Sequence, residues 1–294
     1  MAKTGVFVGL ITLDCIYQTR SALQSNEKQV AEDVLLAAGG PATNAAIAFS
    51  ALGGHAKLVG VLGQHPLATV IRDDLAQHGV ELVDLLPTVT APPPFSSILV
   101  NAATGDRAVI SRNAVDRPQP QTLPAQTLLA QADCLLVDGH QMPLSRQLAQ
   151  IAQQRQIPVV VDGGSWKAGF EQVLPLATAV IASANFSPPG YGTEAAAIAY
   201  LRSLQVPQVA VTRGEHPILY ATATESGELT VPVIHPVDTL GAGDVFHGAF
   251  CAQYAENGEF LAALSGAAQV AAIACQSFGT RQWIAQLNDP RLTP

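Results

Sequence analysis

Apolar and polar positions divide the chain into brief, nearly continuous apolar runs separated by longer mixed stretches. Val6–Thr12, Lys57–Leu62, Cys134–Val137, Pro158–Asp162, Ala179–Ala182 and Gln208–Thr212 have the length and apolar character of strands buried on both faces. Leu67–Gln77, Leu144–Gln154 and Glu194–Leu204 lie between them with helix length. Strands alternating with such helices predict an α/β fold: a three-layer αβα, Rossmann-like domain with a mostly parallel central sheet. Pro217–Ala223 and Glu228–Ile234 read as a hairpin near the end of the series. Ala242–Glu256 and Glu259–Ser277 read as two closing helices. With no internal repeat and no low-complexity tract, residues 1–294 are expected to form one domain.

Two regions break this rhythm. Tyr17–Leu36 shows irregular alternation with polar punctuation, as strands with one solvated face do. Ser96–Asn101 and Arg107–Arg112 form a hairpin across Ala103-Thr-Gly-Asp106, after a rigid Ala91-Pro-Pro-Pro-Phe95 break. Segments of about 15–37 and 95–113 are therefore expected to make a small sheet on one edge of the large domain.

Composition narrows the function classes. Apolar residues make up 48% of the chain and charged ones 13%, so a large core is available. The net charge is −8 and only four lysines are present, spread over the whole length. That excludes a basic nucleic-acid surface. No run reaches the roughly 18–20 apolar residues of a membrane span. Cys15, Cys134, Cys251 and Cys275 are isolated and embedded in apolar sequence, which predicts buried free thiols. The chain opens directly into its first strand without a signal-like segment, and a cytoplasmic protein is expected.

The candidate chemistry concentrates in two glycine turns. The first, in Asp238-Thr-Leu-Gly-Ala-Gly-Asp244, places Gly241, Ala242 and Gly243 before a helix. Small residues let backbone N–H groups approach an anion, and a helix start adds its positive dipole end. Asp244 admits two readings here: a helix-capping aspartate, or a base that takes a proton from a hydroxyl attacking a phosphoryl group. The second turn is Ala38-Gly-Gly-Pro-Ala-Thr-Asn44, again opening into a helix, with Asn44 in its first turn as a cap or a ligand contact. Asp14 follows the first apolar run, where α/β sheets bind ligands, or serves as a turn residue. Asp162 ends a central strand on that same side. His235 and His247 lack further ligand-type residues and read as packing histidines, and Trp166 and Trp283 as packing aromatics.

Gly39-Gly40-Pro-Ala-Thr-Asn44-Ala-Ala, followed by Gly53 and Gly63, and Asp238-Thr-Leu-Gly-Ala-Gly-Asp244 together resemble the two signatures of the ribokinase-like (PfkB) carbohydrate kinases. Three stretches resemble ketohexokinases and sulfofructose kinases within that family: Val8-Gly-Leu-Ile-Thr-Leu-Asp14-Cys-Ile-Tyr17, Thr104-Gly-Asp-Arg107, and Gly266 through Gly279. The resemblance implies an ATP-dependent phosphotransferase acting on a hydroxyl of a small sugar, ketohexose-like. It implies Asp244 as base, and Gly241, Ala242 and Gly243 as donors to the transferred phosphoryl group. Asp14, Gly40 and Asn44 would hold sugar hydroxyls, and Arg107 would close over the site from the lid. Thr212, Gly214 and Gly279 would border the nucleotide. Mg²⁺ would accompany ATP, a monovalent cation such as K⁺ would sit beside Asp238, and the lid would pair two copies as a homodimer.

Some positions depart from the family pattern. The family's Asn-x-x-Glu, which helps organise Mg²⁺, is here Asn185-Phe-Ser-Pro-Pro-Gly190 without the Glu, leaving the protein ligands of Mg²⁺ unassigned. Pro217 stands where a glycine often follows Gly214, and Pro41 where ketohexokinases usually carry Asn. Lys28 could contact a sulfonate or be a solvated lid residue, with Ser111 and His140 at the positions of the expected Asn and Arg. A nucleoside kinase, a sugar-phosphate kinase and a non-catalytic sugar or nucleotide sensor on the same scaffold are the alternatives.

Overall fold

The computed structural model describes residues 2–112, 118, 120 and 125–287. In chain order the strands are β1 (Thr4–Val8), β2 (Thr12–Thr19), β3 (Asp33–Gly39), β4 (His55–Gly60), β5 (Val80–Asp84), β6 (Phe95–Asn101), β7 (Arg107–Arg112), β8 (Cys134–Val137), β9 (Val159–Gly163), β10 (Ala179–Ser183), β11 (Gln208–Arg213), β12 (His216–Ala221) and β13 (Ser226–Leu229). The helices are α1 (Pro41–Ala51), α2 (Leu67–Gln77), α3 (Ala125–Leu128), α4 (Met142–Gln154), α5 (Phe170–Val173), α6 (Glu194–Ser203), α7 (Ala242–Asn257), α8 (Phe260–Ala274) and α9 (Trp283–Gln286).

A nine-stranded sheet has the order β13-β12-β11-β10-β9-β8-β1-β4-β5. It is parallel from β11 to β5, with β12 and β13 added antiparallel at one edge. Side chains alternate across it. Phe7, Leu58, Leu136, Val160 and Ile181 face one apolar layer, where α1, α7 and α8 contribute Phe49, Phe250 and Leu264. Val6, Val8, Val59, Leu135, Val161 and Val180 face the other, where α4 and α6 contribute Leu148 and Leu201. The three layers thus follow from central strands that present apolar side chains to both faces of the sheet. All four cysteines are buried and free. No helix among the described residues is long and apolar enough to cross a membrane.

A separate four-stranded sheet has the order β3-β2-β6-β7. Its buried side is a small cluster of Ile16, Ile98, Val100 and Phe278, with Leu35 and Leu240 against it. The expected lid segments supply all four strands, although residue 113 of the second lies outside the described residues.

The structure corrects the first strand. The run Val6–Thr12 is not one strand: β1 stops at Val8 and β2 starts at Thr12 in the small sheet. Asp14 is therefore not beyond the end of a core strand but inside a lid strand, paired across to Ala37 and Ser96. The cause is local. A Cβ at Gly9 would lie 2.1 Å from the Asp138 carboxylate, and Leu10 N–H donates to Asp138 Oδ2 at 2.9 Å, so the chain turns out of the core here. The edge strand β5 was absent from the sequence expectation. Its Glu81 and Asp84 interrupt the apolar run that marks the central strands.

Candidate active site

The two glycine turns meet between the sheets. Gly40 precedes α1 at φ 103°, and a Cβ there would lie 2.3 Å from the Leu10 carbonyl oxygen. Only glycine fits both demands. This sets Asn44 in the first turn, its N–H donating to Gly40 O at 2.9 Å. Across from it Gly241 starts α7 at φ 71°. Asn44 Nδ2 donates to Asp244 Oδ2 at 2.8 Å, joining residues two hundred positions apart. At Gly243 an added Cβ would meet nothing within 4 Å, so the start of α7 faces open space. Its first-turn amides lack helical acceptors, as at any helix start, and present a positive end there.

Three carboxylates crowd this point. Asp244 is pushed up to about 7, first by its low-dielectric surroundings, then by the charges of Asp162 and Asp14, against the lowering effects of Asn44 and His247. Asp14 is pushed up to about 6 by burial, against Ser96, Arg281 and Thr12. Its Oδ1 is buried and has no hydrogen-bond partner. Gly39 makes room for this carboxylate, since a Cβ there would lie 1.9 Å from Asp14 Oδ2. Ser96 and Ser111 continue the row of Asp14 across the lid, Ser96 Oγ donating to Ser111 Oγ at 3.2 Å. Asp162 is buried at the end of β9 and accepts from Gly164 N–H at 2.8 Å.

The lid reaches the same turn. Arg107 Nη1 donates to Thr239 Oγ1 at 2.7 Å, and the hairpin tip at Gly105 sits against Val237. Asp238 is buried, accepting from Leu240 N–H through Oδ1 and from Gly279 N–H through Oδ2, each at 2.8 Å. It ties the glycine turn to the end of the chain.

A model of the pfkB family carbohydrate kinases matches residues 3–286. The chain belongs to that family. It is a phosphotransferase of ribokinase-like fold. A ribokinase of Bacillus subtilis (strain 168) is 23% identical over 287 residues, covering 96% of each chain. A putative ribokinase from Agrobacterium tumefaciens has the same fold at TM-score 0.86 and 24% identity, covering 98% of this chain and 99% of that one. Arabidopsis thaliana ribokinase complexed with ribose and ATP matches at TM-score 0.79 and 22% identity, covering 98% and 99%.

In this kinase the structure gathers Asp14, Gly40, Asn44, Gly241, Ala242, Gly243 and Asp244, with Arg107 on the lid side and Asp238 behind the turn. Thr212 is the penultimate residue of β11 and Gly214 directly follows the strand, with φ 62° and open space around its Cβ position. Gly279, expected beside the nucleotide, has its Cβ direction against Leu35 of the lid at 2.7 Å. Lys28 is exposed on the connection between β2 and β3, with no ion pair among the described residues. His247 packs between the Gly243 and Ile181 carbonyl oxygens. Trp166 packs among Phe170, Phe186 and Tyr200, and Trp283 is buried. The tryptophan readings and that of His247 hold, whereas His235 is exposed rather than packed, on the stretch between β13 and α7.

Sequence reasoning passed over Asp138, Asp74 and Arg281. Asp138 accepts from the N–H groups of Leu10, Ala42 and His140, and is thereby a fixed point for the first glycine turn. Burial pushes it up, but His140 and these amides outweigh burial and leave it below the ordinary carboxylate range. Arg281 had a signal that could have been read: it is the only charged residue between Glu259 and Asp289.

Proposed function

We propose that this kinase transfers the γ-phosphoryl group of ATP to a hydroxyl of a small, uncharged sugar, ketohexose-like in size. The observation that carries the reading is the pairing of two unlike carboxylates in one cleft. Asp14 offers a buried, unpartnered oxygen that a sugar hydroxyl would satisfy. Asp244 stands at the amide-lined start of α7, held by Asn44, with a proton affinity raised toward neutrality as a general base requires. Asp244 takes the proton of the attacking hydroxyl. The amides of Gly241, Ala242 and Gly243 face the charge on the transferred group. Asp14, Gly40 and Asn44 orient the sugar, and the lid with Arg107 excludes water.

The residues present suit a nucleotide. The open start of α7 accepts phosphates, and the unobstructed Gly214 at the end of β11 leaves room beside Thr212. For Mg²⁺, no three His, Cys, Asp or Glu side chains among the described residues are arranged so that they could hold a metal ion. ATP would bring the ion on its own phosphates, where it neutralises charge. A monovalent cation such as K⁺ beside Asp238 is part of the same reading, and activation by K⁺ over Na⁺ tests it. The site opens within a chain that we place in the cytoplasm. The outward lid rows expose Val34, Leu36 and Ile110, an apolar face suited to a second copy of the chain.

A sugar is favoured over a nucleoside because neither aromatic candidate for a base platform in the lid region faces the site: Phe95 packs against the main core, and Tyr17 lies in the row of Val34, on the opposite face of β2 from Asp14. The deciding experiment is coupled ADP release over a panel of free pentoses and ketohexoses, sugar phosphates and nucleosides. Turnover on a free sugar is expected. Turnover confined to nucleosides or phosphorylated sugars overturns the substrate class, and tight binding without ADP release on any member overturns catalysis.

A further inference from the structure

Arg281 lies at the junction of four elements and has no free donor. Nη1 donates to Asn44 Oδ1 at 3.0 Å, and to Thr280 O and Oγ1 at 3.0 and 2.9 Å. Nη2 donates to Asp74 Oδ2 at 2.9 Å and to Ala38 O, and Nε reaches Asp74 Oδ2 at 3.3 Å. Asp74 Oδ2 also accepts from Ala38 N–H at 2.8 Å. The ion pair therefore grips the Ala38 peptide by both its N–H and its C=O, at the root of lid strand β3. The Arg281 side chain is 9% exposed, so the grip is shielded from solvent.

A guanidinium can only donate, so the Asn44 atom facing it must be the oxygen. The amide nitrogen is then left to face Asp244, as observed at 2.8 Å. Asp244 receives the hydrogen bond only in this orientation, because the flipped amide would set oxygen against carboxylate. With its N–H groups engaged, Arg281 has none left for a substrate and acts through Asn44.

We propose that Arg281 is a positioning residue that fixes the Asn44 amide toward Asp244 and ties this orientation to the seating of lid strand β3 at Ala38. The proposal rests on the kinase reading in which Asp244 is the base. The groups facing Asp244 are Asp162 from β9, Asp14 from β2, His247 from its own helix and Asn44 from α1. Arg281 is not among them: its charge acts on the neighbouring Asp14 carboxylate, and its hydrogen bond reaches Asp244 by way of the Asn44 amide.

The test is Arg281→Met, alone and combined with Asp74→Asn so that no buried carboxylate is stranded. Both are compared with Asp244→Asn on whichever free sugar the wild type phosphorylates. Arg281→Met is expected to lower kcat at least about tenfold with a smaller change in sugar KM. The acid limb of kcat/KM should move up by roughly one to two pH units, the effect of losing one hydrogen bond to an ionised acceptor. The Asp74→Asn combination should keep the melting temperature and the same displaced limb. In the Asp244→Asn background, Arg281→Met should have little further effect on turnover. If Asp244→Asn is inactive while both Arg281 variants keep kcat and an unmoved limb, the positioning role is wrong. If Asp244→Asn itself retains turnover, the base assignment has failed instead, and the two failures are distinct.

Discussion

Replacing Asp244 by Asn should disable the kinase and stabilise its fold, and the second effect should depend on pH. The substitution is nearly isosteric, and the new amide oxygen can still accept from Asn44 Nδ2. In the folded chain the Asp244 carboxyl is raised from 3.8 to about 7. Between those values the folded protein holds a proton that the unfolded chain has released. Stability therefore falls as pH rises through this window, and the full penalty applies above about 7. At 1.36 kcal/mol per pKa unit, the shift corresponds to roughly 4 kcal/mol, an upper figure because ions and water enter the cleft. Asn carries no such penalty. The variant should melt several degrees above the wild type at pH ~8.5, since about 1 kcal/mol moves Tm by roughly 2 °C in a chain of this size or somewhat smaller. Near pH 4 the advantage should vanish. Differential scanning fluorimetry across pH reads the crossover, while coupled ADP release reads turnover, expected to fall by at least about 10²–10⁴. A Tm difference that is constant from acid to alkaline pH would refute the perturbed carboxylate. Turnover within tenfold of wild type would refute the base.

The same crowding predicts a wild-type acid limb in kcat/KM near pH 7, and Asp162→Asn should move it to lower pH by removing a like charge; a limb that stays fixed or moves up counts against the electrostatics. Gly40→Ala should lower stability by at least about 2 kcal/mol in urea unfolding, because φ 103° and the 2.3 Å approach to Leu10 O both exclude a side chain. Unchanged stability would mean that the turn is looser than described. Arg107→Ala should raise sugar KM while leaving stability within about 0.5 kcal/mol, as expected for an exposed lid residue whose hydrogen-bond partner Thr239 stays in place. An unaltered KM would remove Arg107 from the closed site.

The sequence displays most clearly what depends on strands that touch no water. β8 and α2 match their expected bounds because Cys134–Val137 is apolar throughout and Leu67–Gln77 is bounded by turn residues. The glycine signatures were legible for a related reason: a position such as Gly40 tolerates no other residue, so its chemistry is written in one letter. Asp14 was legible as a residue but not as a place. Its strand belongs to the lid because Gly9 must yield to Asp138, 129 positions later, and no local pattern carries that contact. Arg281 shows the limit more sharply. Its role is set by what it leaves undone: with its donors engaged by Asn44, Thr280, Ala38 and Asp74, it can serve the substrate only by turning another side chain. Spacing in a sequence ranks residues by their neighbours along the chain. A hydrogen-bond inventory ranks them by what remains free in space. The proposed base and anion turn emerge from the first ordering. The residue proposed to aim that base emerges from the second.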